Sequence, residues 1–93
     1  MLVTRTRLGD LIEEAVLKQD IEKQALARHL GIRPASVSKW IRHDHPDAVP
    51  PLHWEKITKF LSIPWKVWIE AAQADRPEDV EKYHRLVRSL SGR

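Results

Sequence analysis

The chain has 93 residues, with 16 Lys or Arg against 13 Asp or Glu, a net charge of +3 and no cysteine. That length makes one small domain with a thin core, and the missing cysteines exclude a disulfide framework, a thiolate zinc site and a cysteine nucleophile. No run approaches the ~20 apolar residues of a membrane-spanning helix, and MLVTRTRLGD lacks the sustained apolar core of a signal peptide, so a cytoplasmic protein is expected.

Only three glycines interrupt long segments of helical periodicity, which predicts an all-α fold. Residues 1–4 read as a lead-in. Thr6 is the expected N-cap of a first helix over Arg7–Lys18, with Leu8, Leu11, Ile12, Ala15 and Val16 as its buried stripe and Glu13 and Glu14 facing outward. Asp20 or Glu22 opens a second helix, Lys23–Leu30. Gly31 sits at the bend that follows, where a positive φ is tolerated, and Pro34 starts a third helix running to Arg42. Leu26, Leu30, Ile32, Val37, Trp40 and Ile41 are spaced as one apolar seam behind this pair, and Ala27 is small enough to let the two helices touch. The segment Lys23–Arg42 carries five cations (Lys23, Arg28, Arg33, Lys39, Arg42) and no acid. A compact, locally basic helix-turn-helix of this kind points to DNA reading.

Residues 43–51, HDHPDAVPP, form a proline-rich loop whose Asp44 and Asp47 would repel phosphate. A fourth helix is predicted over Leu52–Leu61 with Trp54, Ile57, Phe60 and Leu61 inward. A fifth follows over Trp65–Ala74 with Val67, Trp68, Ile69 and Ala72 as core and Trp65 partly exposed. Asp75 is the expected N-cap of a sixth, amphipathic helix beginning near Pro77 and ending near Leu90; Glu78 and Asp79 suit its first turn and Arg85 and Arg88 its end. Residues 91–93 should fray. The predicted organisation is a helix-turn-helix domain over residues 1–74 and a C-terminal dimerisation helix over 75–93.

Read from Leu8, the chain resembles the Cro/repressor (XRE-type) helix-turn-helix family of phage and bacterial regulators. Leu8-Gly9/Ile12 match the family's opening, Leu26-Ala27/Leu30-Gly31 its middle and Ser38-Lys39-Trp40 its ending, with no gap between them. A looser likeness continues to about Ile69. The resemblance implies a compact lambda-repressor-like bundle of five to six helices. One departure is coherent: an arginine and a glutamate that often pair inside family members are here Val16 and Ile41, both apolar, so neither leaves a charge unpaired.

By the family's pattern, Arg33, Pro34, Ala35, Ser38 and Lys39 face bases. Arg33 or Lys39 is the expected contact to a guanine edge, Ala35 to a thymine methyl, and Ser36 and Ser38 to a base or phosphate. Lys23, Gln24, Arg42, Arg5 and Arg7 are expected at phosphates. Val80, Tyr83, Leu86, Val87 and Leu90 recur along the sixth helix and are expected at a dimer interface, which would set two reading helices ~34 Å apart on a palindromic operator.

Other readings weigh less. His43, His45 and His53 with Asp44 and Asp47 lack the scaffold that fixes metal ligands, so no metal or cofactor is expected. His29 and His84 have no evident partner. No catalytic constellation can be assembled, so the chain is not expected to be an enzyme. The four tryptophans fit core packing better than base stacking. The expected function is a homodimeric repressor on double-stranded DNA. The alternative is an antitoxin or accessory subunit that binds a protein partner through its fifth and sixth helices; a non-specific nucleic-acid binder ranks third.

Overall fold

A computed structural model of the chain describes residues 6–42 and 47–91. Every regular element among them is helical: α1 (Arg7–Lys18), α2 (Lys23–Leu30), α3 (Pro34–Ile41), a 3-10 turn (Pro51–His53), α4 (Trp54–Leu61), α5 (Trp65–Asp75) and α6 (Pro77–Ser91). The all-α expectation holds, and none of these helices is long and apolar enough to cross a membrane.

The N-terminus of α1 is secured from two directions. Thr6 Oγ1 accepts the Gly9 N–H at 3.0 Å, as its sequence position suggests. The Arg7 and Leu8 N–H groups are taken by Asp75, at 2.9 Å to Oδ1 and 3.0 Å to Oδ2. Three of the four N–H groups that a helix start leaves unpaired are thereby satisfied. This corrects the expectation for Asp75: it closes α5 and caps α1, whereas α6 starts after Arg76, whose carbonyl accepts the Asp79 N–H at 3.0 Å.

Three helices end by one device. Asp20, Gly31 and Ser62 each adopt a positive φ, at 54°, 72° and 54°. An isoleucine follows each of them and donates its N–H five residues back: Ile21 to Val16 at 2.9 Å, Ile32 to Ala27 at 3.0 Å and Ile63 to Thr58 at 2.9 Å. All three isoleucines pack partly buried on the core, the hydrophobic contact that accompanies this helix stop. The side-chain amide of Gln19, at the end of α1, also donates to the Leu61 carbonyl, tying two of these stops together.

A single core joins residues from Leu8 in α1 to Val80 in α6. Trp54 lies at its centre, wholly buried, with its Nε1 donating to the Val49 carbonyl at 2.9 Å. Trp68 stands edge-on to it at a centroid distance of 6.3 Å, and Tyr83 of α6 stacks on it at 5.3 Å. Trp68 Nε1 is buried and meets no hydrogen-bond acceptor. Thr58 is buried too, its hydroxyl returned to the Trp54 and Glu55 carbonyls of its own helix. Val16 and Ile41 are both buried in this core, so neither apolar side chain is left in solvent. Val67, expected inside, is 42% exposed, while Ala71 is buried in its place. Val67, Trp68 and Ile69 are consecutive, and a helix turns only one stripe inward.

Candidate nucleic-acid interface

The α2–α3 pair is built from behind. Gly31 ends α2 in the left-handed region, and open space surrounds the place its Cβ would occupy, so φ alone selects glycine there. Arg33 is extended (φ −78°, ψ 145°), as the residue before a proline prefers, and Pro34 opens α3. Ala27 is wholly buried where the helices meet. Val37, Trp40 and Ile41 bury the rear of α3, each contributing ~1.5–3 kcal/mol or more through burial.

Gly9 sets how close α1 comes. A Cβ there would lie 2.2 Å from the Trp40 carbonyl oxygen and 2.7 Å from Thr6 Oγ1. The main chain of α1 thus rests on the main chain of α3's last turn. Glycine within a helix is otherwise unfavourable by ~1 kcal/mol, and that misfit is the signal from which a packing reason could have been read, although Gly9 enters the sequence analysis only through the family resemblance.

The front of α3 faces outward. Arg33, Pro34, Ala35 and Lys39 are exposed, and Ser36 and Ser38 are half-buried. On α2, Lys23, Gln24 and Arg28 are exposed. Glu22 precedes α2 and makes no side-chain hydrogen bond to that helix start. Arg42 follows α3, exposed, with its N–H on the Ser38 carbonyl at 2.9 Å. The Gly9–Trp40 approach puts the first turn of α1, with exposed Arg7, beside the end of α3 that leads into Arg42. Arg5 and the loop residues His43, Asp44 and His45 lie outside the described residues.

The end of the loop returns to α3, which the sequence did not suggest. The Asp47 N–H donates to the Lys39 carbonyl at 3.2 Å, and Asp47 is exposed. Ser36, Lys39, Trp40, Asp47, Pro50 and His53 line one shallow cleft between α3 and the following segment. His53 sits 6.1 Å from the Trp40 ring, and its pKa is held below the usual histidine value by burial first and by the Lys56 charge second. The histidines without expected partners have them: His29 stacks on Phe60 at 4.6 Å and His84 meets Tyr83 edge-on at 6.1 Å.

The α6 residues divide, which corrects their treatment as one interface stripe. Val80 is buried in the chain's own core, and half-buried Tyr83 packs between Trp54 and Trp65. Of the five, Leu86, Val87 and Leu90 are exposed, at 37%, 37% and 59%, as is Trp65, whose ring meets Tyr83, at 39%. Comparison of the chain with protein-family models, with curated proteins and with solved structures returns no match.

Proposed function

We propose that this chain is a sequence-specific double-stranded DNA-binding regulator of the Cro/repressor (XRE-type) kind, acting as a homodimeric repressor in the cytoplasm. One observation carries the reading: α3 is anchored by its rear side chains and main chain while its front, free of acidic residues, is turned outward. B-DNA's major groove admits such a helix, and side chains near its N-terminus then reach base edges. Arg33, Ala35, Ser36, Ser38 and Lys39 would read bases. Lys23, Gln24, Arg42, Arg7 and Arg5 would meet phosphates, with the amide groups opening α2 adding their partial charge. Leu86, Val87 and Leu90 would pair across a twofold axis, placing two α3 helices on a palindromic site.

Selection of bound duplexes from a random library, followed by titration of the winner against salt, tests this. A palindromic winner bound far more tightly than random duplexes supports it. A flat selection whose affinity vanishes with salt leaves only the electrostatic contribution and removes the specific regulator. The exposed row on α6 also favours a second reading, an antitoxin or accessory subunit whose partner covers that row; the flat selection would favour it.

A further inference from the structure

We propose that Asp47 and Lys39 together read one G·C base pair, the aspartate reaching it from the loop and the lysine from α3. The inference rests on the duplex-reading function proposed above. Its starting point is the main-chain bond from the Asp47 N–H to the Lys39 carbonyl, which keeps the two residues adjacent although eight positions separate them in sequence. Both residues line the same cleft as Ser36, and both are exposed.

The chemistry of the pair is specific. A lysine ammonium offers donors and no acceptor, and an ionised carboxylate offers acceptors and no donor. In the major groove, guanine presents two acceptors, N7 and O6, and its cytosine partner presents the N4 amino donor. Lysine on guanine and aspartate on cytosine satisfies the whole edge of that pair. Where thymine replaces cytosine, the carboxylate faces an acceptor oxygen and a methyl group, and the match is lost. Even were the two side chains to meet, an exposed ion pair contributes little, so their mutual attraction would not compete with a base pair that matches both. The carboxylate also disfavours a complex made through phosphates alone, which would make this acid part of discrimination and not only a defect in a basic surface.

Duplex selection from a random library with the full chain, its Asp47→Ala and Lys39→Ala variants and the double variant tests this. The expected result is one G·C pair per half-site whose preference falls by about five- to a hundredfold in each single variant, with the double variant relaxing no further position. Both substitutions are at exposed positions, and unchanged melting temperatures would confirm intact folds. Asp47→Ala overturns the proposal if it strengthens binding to all duplexes alike with every preference intact, which is the signature of simple phosphate repulsion. A relaxed position different from that of Lys39→Ala overturns it as well. If the unsubstituted chain selects no sequence, the regulator reading itself fails and takes this assignment with it; a selective parent with an unchanged Asp47→Ala profile removes only the assignment.

Discussion

Replacing Gly9 by alanine adds one methyl group at the contact that fixes α3 against α1. The new Cβ would lie 2.2 Å from the Trp40 carbonyl oxygen, where tight real contacts begin at 3.0 Å, so one main chain must retreat by about 1 Å. Overpacking of this sort destabilises by ~1–3 kcal/mol, and the upper end applies because the obstacle is helix backbone and not a flexible side chain. Crowding Thr6 Oγ1 at 2.7 Å disturbs the N-cap as well, adding ~1 kcal/mol. Alanine's better helix propensity returns ~1 kcal/mol. The net loss is ~2–3 kcal/mol, which for a domain of this size lowers the melting temperature by ~10–20 °C. Thermal and urea unfolding followed by circular dichroism measure it. An unchanged or raised melting temperature, the result helix propensity alone would give, refutes the close approach of α1 to α3.

Four further outcomes are expected. Asp75→Ala removes the acceptor of two N–H groups at the start of α1 and should destabilise by ~0.5–2 kcal/mol, with faster hydrogen exchange at the Arg7 and Leu8 amides; unaltered exchange there would dissociate Asp75 from the cap. Ser62→Gly relieves a positive φ and should raise the melting temperature by ~2–8 °C, whereas a drop would mean that the serine side chain holds that turn. Leu86→Asp should shift the protein towards monomer in sedimentation, and a dimer that survives it must be formed elsewhere. Because burial, and after it the Lys56 charge, holds the His53 pKa below the ordinary histidine value of 6.5, the unfolded chain binds more protons between the two values. Stability is therefore full above pH 6.5 and declines as pH falls towards the folded value, and His53→Gln should flatten that slope in urea midpoints.

Local signals carried most of the helices. Thr6, the 3–4 spacing from Leu8 to Val16 and the Gly31–Pro34 turn are chemistry within a few residues, and α1 and α2 run as that chemistry predicts, with α3 ending one residue earlier. The misses share a cause. Asp75 followed closely by Pro77 satisfies every local rule for an N-cap, yet its carboxylate serves an N-terminus 68 residues away, and no periodicity records such a distance. Val80 reads as part of a dimer stripe because the sequence does not say that α6 lays it in the chain's own core. The approach of Asp47 to Lys39 was equally hidden, since it depends on where an irregular loop returns. On the candidate interface, the exposed front of α3 was legible from its contrast with the buried Val37, Trp40 and Ile41.

The manner in which α3 is held has a consequence for how this protein could change. Its grip comes from carbonyl oxygens and from three rear side chains, none of them on the outward face. Exchanging an exposed residue away from such anchors usually alters stability by no more than about 0.5 kcal/mol. Arg33, Ala35 and Lys39 can therefore be respelled one letter at a time while the helix keeps its pose. A scaffold so divided between grip and text lets new specificities arise without passing through unfolded ancestors.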